Sequence, residues 1–285
     1  MNPDFPVPSR LIVTGARGLL GREILRLAPA ASGYGRAELD ITDRTAVDAV
    51  LSPGAVVLNC AAYTAVDAAE SDRDAAFAAN ATGPAVLAAA CAAAGARLIH
   101  VSTDYVFPGT ASTPYEPDDR TGPATVYGQS KLAGERAVLE LSPDAQVVRT
   151  AWVYSGVEGD FVATMRRLER ERETVTVVDD QLGSPTSAAD LAAALLELST
   201  RPAAPRVLHA TNSGTATWFD LAVAVFTEVG ADPARVLPCD SSAFPRPAPR
   251  PSYSVLSPAA WDAAGLTPLR PWRSALADAL RRLSD

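Results

Sequence analysis

Tyr127-Gly-Gln-Ser-Lys131 sets a phenol and an ammonium four residues apart at the start of a helical run, which stacks both on one helix face. A tyrosine can act as a general acid near neutral pH when a nearby cation stabilises its phenolate, and Lys131 is such a cation. Upstream, the apolar run Leu-Ile-His-Val-Ser ends in Ser102-Thr103-Asp104, whose hydroxyls could polarise a carbonyl oxygen. Standing alone, Tyr-x-x-x-Lys is more often an exposed pair. A second set of residues suits phosphate. Leu11-Ile-Val-Thr-Gly15-Ala-Arg17-Gly18-Leu-Leu-Gly21 places three glycines between a strand-like run and a helix. A pyrophosphate needs backbone N–H donors at a helix N-terminus and no Cβ across its approach. The spacing is Gly-x-x-Gly-x-x-Gly rather than the commoner Gly-x-Gly-x-x-Gly, so the strand before and the helix after carry the nucleotide reading.

These residues need a frame. Short β-branched runs at Arg10–Thr14, Ala55–Cys60, Arg97–Ser102 and Ala145–Thr150, with a shorter one near Ser32–Arg36, alternate with helical stretches. The helical stretches are Leu19–Leu27, Asp43–Leu51, Ser71–Ala94 and Ala124–Leu141. Continuous apolar strands of this kind are buried on both faces. The pattern predicts an α/β fold, a Rossmann-type doubly wound parallel sheet with ligands beyond the carboxyl ends of its strands. Residues 1–150 read as the NAD(P)-binding domain. Residues 151–285 read as a smaller, mainly substrate-binding C-terminal lobe, with some segments returning to the first domain. Helices are expected there at Phe161–Glu171, Ser187–Ser199, Thr217–Gly230 and Pro271–Leu283, and the Pro-rich run Phe244–Ser252 can be neither helix nor central strand.

The choice of cofactor turns on the end of the second strand. An acid there would hold the ribose 2′-OH and favour NAD. The strand ends in Gly33-Tyr-Gly-Arg36 with no carboxylate in that run, and Arg17 adds a second guanidinium. Two guanidiniums suit a 2′-phosphate, so NADPH is expected, with NADH possible; the bland alternative is that either arginine only decorates the surface. Asp40 directly precedes the next helix and is placed at the adenine edge.

Composition narrows the field further. With 25 Lys+Arg against 33 Asp+Glu, the net charge of −8 repels phosphate backbones, so no nucleic-acid partner is expected. Three cysteines are too few for a disulfide framework, and with two histidines they leave no zinc set, so no metal is expected. The longest apolar stretch, Pro84–Gly95, is shorter than a bilayer span; no membrane partner and a cytoplasmic location are the expectation.

The chain resembles the extended short-chain dehydrogenase/reductases through Gly15/Gly18/Gly21 and Thr103…Tyr127…Lys131, and within them the dTDP-4-dehydrorhamnose reductase family. The closer likeness runs through Leu39–Asp43, Asn59–Asp67, Ser102–Phe107, Tyr127–Glu135, Arg149–Tyr154, Asp180–Thr186 and Arg250–Leu256. It implies that Thr103 and Tyr127 hold the C4 keto oxygen of a dTDP-4-keto-6-deoxy sugar, and that Tyr127 protonates it as hydride arrives. Lys131 would bind the nicotinamide ribose and lower the phenol pKa. Leu19, Leu20, Arg36, Asp40, Ile41, Ala61, Ala62, Tyr63 and Asn80 would join Gly15, Arg17 and Gly18 around the cofactor. Thr64, Val66, Asp104, Tyr105 and Trp152 would line the sugar pocket, although Trp152 could equally be core packing. Arg250 would reach the substrate diphosphate. The chain departs from the family at Asp160 and Ser257, where Asn and Asp are common, which leaves the identity of the sugar open. A monomer or homodimer is implied. Three rivals stay open at this point: a dehydratase or epimerase, a 4-ketoreductase for another dTDP-deoxysugar of an antibiotic pathway, and a non-catalytic NADP-binding regulatory subunit. Against the dehydratase, Thr103-Asp104 is followed by Tyr105 and not by Glu.

Overall fold

The computed structural model describes residues 7–157 and 159–283. Six strands form its central layer: β1 (Leu11–Thr14), β2 (Ser32–Tyr34), β3 (Val56–Asn59), β4 (Arg97–Thr103), β5 (Gln146–Thr150) and β6 (Val207–His209). Their order is β6-β5-β4-β3-β1-β2, and every neighbouring pair is parallel. Every residue of β1, β3 and β5 is buried, as the uninterrupted apolar runs require. The winding direction reverses between β1 and β3, and such a switch point opens a crevice at the carboxyl ends of the strands.

Eight longer helices surround the sheet and build the lobe: α1 (Leu19–Leu27), α2 (Arg44–Val50), α3 (Arg73–Ala94), α4 (Val126–Leu141), α5 (Phe161–Glu171), α6 (Ala188–Ser199), α7 (Trp218–Glu228) and α8 (Trp272–Arg281). Side-chain caps set several of the starts. Asp43 accepts the Thr45 and Ala46 amides, Thr125 accepts that of Gly128, and Thr217 with Asp220 forms a capping box. Asp160 accepts the amides of Ala163, Ser155 and Gly156, so the carboxylate at this family departure both starts α5 and pins the turn before it.

Helix α3 corrects one sequence reading. It contains a π turn at Ala78–Thr82 and, by length and composition alone, is apolar enough to cross a membrane, well beyond the Pro84–Gly95 stretch. Here Leu87, Ala88, Ala90 and Cys91 pack instead with Val47, Val57, Leu98 and Val138, between the sheet and its neighbouring helices. Alanine lets these helices approach closely.

The opposite face is covered by α1 and α6, with Ile24, Leu191, Leu195 and Leu198 over Leu11, Val13 and Leu58. Thus α6 and β6 belong to the central layers although they follow residue 150. The remaining lobe packs α5, α7 and α8 around Val175–Val178, which pairs in parallel with Val236–Cys239. Between α4 and β5, Arg149 makes a buried bidentate pair with Glu135, its guanidinium also donating to Pro117 O and lying over the Phe107 ring. Breaking such a pair by removing one partner costs about 3–5 kcal/mol, so it fixes the helix that carries Tyr127 and Lys131.

Candidate active site

A cavity of about 770 Å³ runs along the carboxyl ends of the strands, from the glycine turn to the lobe. At one end lie Gly15, Gly18, Leu19, Leu20 and Gly21. Gly15 has φ +68°, and a Cβ there would come within 2.5 Å of Ala61 N; one on Gly21 would come within 2.4 Å of Gly15 O. Gly18 is the N-cap of α1 and supplies no side-chain acceptor, so the first amides of the helix face the cavity uncapped. This donor set fits the diphosphate of a dinucleotide.

Arg36, Asp40 and Ile41 line the cavity beyond β2. Asp40 accepts the Thr42 amide (2.9 Å) and hydroxyl (2.7 Å), which holds its carboxyl below the usual range. The reading that this end lacks an acid is corrected by Glu38. Its carboxylate accepts the Gly35 amide at 2.6 Å and pairs with Arg17, and that guanidinium, with the amide, lowers its pKa from the ordinary value. Arg17 is therefore engaged on the rim and is not among the lining residues.

After β3, Ala61, Ala62, Tyr63, Thr64 and Val66 follow the cavity wall. Asn80, expected at the cofactor, stands behind that wall. It is fully buried, accepts the Tyr63 amide at 2.8 Å, and donates to Tyr63 O and Ser130 Oγ at 3.0 Å. Its work is to tie this loop to α4.

The three candidate catalytic residues, Thr103, Tyr127 and Lys131, meet where β4 ends beside the first turns of α4. Thr103, 6% exposed, donates its hydroxyl to Asp104 Oδ1 at 2.8 Å. Asp104 is 3% exposed, its Oδ2 makes no well-formed hydrogen bond, and burial, outweighing the lowering effect of the Ser254 and Thr103 hydroxyls, pushes its carboxyl up to about 6. The Tyr105 ring stands edge-on to Tyr127, with centroids 5.5 Å apart. The Tyr127 phenol is pushed up to about 12, burial outweighing the lowering effect of the Thr103 hydroxyl. The resemblance implied a phenol drawn down by Lys131; in this protein desolvation dominates, and Tyr127 is protonated at neutral pH, as a proton donor must be. Lys131, 2% exposed, donates from Nζ to Val101 O at 2.7 Å, and burial brings it down to about 8.

Trp152 adopts a left-handed conformation, φ +46°, and stacks on Trp218 with centroids 3.6 Å apart and planes at 7°. A Cβ on Gly183 would lie 2.4 Å from the Trp152 ring, so only glycine admits the indole there. Phe161 leans on Trp218, and all three aromatics line the cavity. Sequence reasoning missed Trp218 and the wall role of Phe161; the capping box that starts α7 was the available signal. Arg250 is placed differently from its expected role. It is not a lining residue: Nη2 donates to Asp67 Oδ2 and Nη1 to Ala248 O, both at 2.8 Å. Asp67 belongs to the short helix Val66–Ala69, adjoining the lining residues Thr64 and Val66. Among the described residues no group of three or more His, Cys, Asp and Glu could hold a metal ion.

The model of one protein family, described as the RmlD substrate binding domain, matches residues 9–284. The dTDP-4-dehydrorhamnose reductase of Mycobacterium tuberculosis is 57% identical over 283 residues, covering 95% of this chain and 92% of that protein. The dTDP-4-keto-6-deoxy-D-glucose reductase of Streptomyces niveus is 45% identical, covering 96% and 98%. A crystal structure of the dTDP-4-dehydrorhamnose reductase of Bacillus anthracis in complex with NADP superposes with a TM-score of 0.91 at 36% identity, covering 96% of this chain and 99% of that one.

Proposed function

The chain belongs to the RmlD family of dTDP-4-dehydrorhamnose reductases, and from that membership and the site we infer an NADPH-dependent reductase of the C4 keto group of a dTDP-4-keto-6-deoxy sugar. One observation carries the reading: the glycine turn and the Thr103–Tyr127–Lys131 trio open into the same cavity. When bound, NADPH supplies the hydride. The uncapped amides of α1 hold a diphosphate, and Ala61–Tyr63 form the wall beside it. Thr103 and Tyr127 place their hydroxyls at the keto oxygen, and Tyr127 gives its phenolic proton to the alkoxide, completing the alcohol. The stacked indoles of Trp152 and Trp218 offer an apolar wall to the C–H face and methyl group of a deoxy sugar. Asp104, buried and with one oxygen making no well-formed hydrogen bond, accepts from a sugar hydroxyl.

The rhamnose precursor is our first choice of substrate, and a related dTDP-4-keto-6-deoxy sugar is the second reading, favoured by the Asp160 and Ser257 departures. A monomer or homodimer working in the cytoplasm fits a water-soluble nucleotide sugar. Assaying a panel of dTDP-4-keto sugars with NADPH, and assigning the product stereochemistry by NMR, tests the assignment. Turnover of the rhamnose precursor at the highest kcat/KM is expected. Cofactor binding without turnover of any member of the panel would overturn it in favour of the regulatory-subunit reading.

A further inference from the structure

Behind Lys131 a chain of buried polar groups leads into the sheet. Asn59 Oδ1 accepts the Ala61 amide at 3.1 Å and the Thr14 hydroxyl at 2.7 Å. The Ala61 amide can only donate, so the Asn59 carboxamide has one orientation, with Nδ2 facing His100 Nδ1 at 2.9 Å. His100 must then leave Nδ1 unprotonated and carry its proton on Nε2, which lies 3.4 Å from Lys131 Nζ. An imidazolium would turn N–H groups against donors on both sides, and burial together with the Lys131 charge drives the His100 pKa well below its ordinary value.

An N–H aimed at Nζ is accepted by the amine and opposes the ammonium. We propose that Asn59 and His100 are a positioning pair that holds Lys131 ready to release its proton, by presenting an Nε2–H donor to the neutral amine. Reduction takes one proton from Tyr127 to the product alkoxide. The phenolate recovers it from the Lys131 ammonium, one helical turn further along and lining the same cavity, the amine left behind accepts the His100 N–H, and a solvent proton restores the ammonium. The other groups around Lys131 act the opposite way: the Val101 carbonyl from β4, Glu135 on its own helix and Cys60 at the end of β3 all favour the charged form. Arg149, from β5, binds Glu135 and tempers its charge.

This role in the reaction rests on the reductase assignment, but the lysine's titration is read without substrate, so the two fail separately. Lys131 is the only lysine in the chain, so protein grown with lysine 13C-labelled at Cε gives one side-chain signal. The chain has two histidines, so the ring nitrogens of His100 are readily assigned by 15N NMR. The Nε2–H tautomer and a lysine midpoint near about 8 are expected in the native protein. His100→Phe removes the donor and should raise the midpoint by roughly one unit. His100→Gln puts an amide N–H near the same place and should keep it near the native value. Asn59→Asp, nearly isosteric, should draw the ring proton to Nδ1 and make Nε2 an acceptor; its added charge raises the midpoint as well, so the ring 15N shifts are what is read from it, and His100→Leu takes the place of His100→Phe if that variant does not fold. The alkaline limb of kcat should move with each midpoint. An Nδ1–H tautomer in the native protein, or loss of thermal stability with an unmoved lysine midpoint, would overturn the proposal.

Discussion

The wall to which we assign the chemistry and the rim to which we assign the charged ligands are built on opposite principles. Thr103, Asp104 and Lys131 are 2–6% exposed, and burial is the largest influence on the Asp104 and Lys131 titrations. On the rim, the Arg17 side chain is 76% exposed and paired with Glu38, while Arg250, only 23% exposed, is paired with Asp67 and stands between the two cases. Desolvation fixes a protonation state at the expense of stability, which suits a group that must be an acid or a base at one moment. A solvated ion pair contributes little net stability, which suits a cation that must exchange one anion for another. The comparison can be broken from either side.

The largest effect belongs to the wall. Tyr127→Phe keeps the ring and removes the proton donor, so kcat should fall on the order of 100-fold or more, with cofactor and substrate affinities retained. Activity within a few-fold of the native enzyme would assign protonation to another group.

Asp104 tests whether the wall is held against its own stability. Its carboxyl is raised from 3.8 to about 6 in the folded state, so the fold prefers the neutral acid. The resulting destabilisation is absent below the unfolded value and fully present above the folded one. Asp104→Asn should therefore gain on the native protein between about pH 4 and about pH 7, by up to roughly 3 kcal/mol at 1.36 kcal/mol per unit. Urea unfolding of both proteins at the two pH values measures the gain; an equal difference at both would remove Asp104 from the strained set.

On the rim, Arg250→Ala should raise KM for the nucleotide sugar about 10- to 150-fold at nearly unchanged kcat, if the guanidinium leaves Asp67 for the substrate diphosphate. Asp67→Asn removes the competing anion and should hold or lower KM. A raised KM in both variants would show that the ion pair only braces the Pro-rich segment.

What could be read from sequence divides along similar lines. β1, β3 and the glycine turn were legible because buried parallel strands are continuous apolar runs and the turn needs residues without a Cβ. Tyr127 and Lys131 were legible because helical spacing alone puts them on one face. The four lobe helices were legible by the same spacing, within a residue or two of where they lie; its strands were not, because Val153–Tyr154 with Thr186–Ser187, and Leu182–Gly183 with Ala216–Thr217, are two-residue pairings too short to show a period. Rim partners were hidden for another reason. Asp67 lies 183 residues from Arg250, and only the folded chain brings them together. Glu38 was passed over because the turn at Gly35 folds its carboxylate back to the end of β2. Asn80 looked like a ligand residue, and its π-turn position turns it to the loop backbone instead.

Glu38 makes the finest test of the rim. A carboxylate at the end of the second strand of such a fold accepts from the ribose hydroxyls of NADH and repels the 2′-phosphate of NADPH. Here the same carboxylate occupies Arg17, one of the two guanidiniums that the sequence led us to expect at that phosphate. Glu38→Gln keeps an acceptor for the Gly35 amide, removes the repulsion and frees Arg17. NADPH affinity should rise and NADH affinity fall, each by no more than about five-fold, because the pair is exposed and solvent-screened. Arg17→Ala should move the ratio the other way, by weakening NADPH binding while leaving Glu38 free for the ribose. Raising the salt concentration should shrink the NADPH changes more than the NADH ones, since only the former involve a full phosphate charge. Titration of each cofactor by nicotinamide fluorescence reads all of these without turnover. If Glu38→Gln shifts both affinities equally, the carboxylate shapes the Gly35 turn and takes no part in choosing between the cofactors.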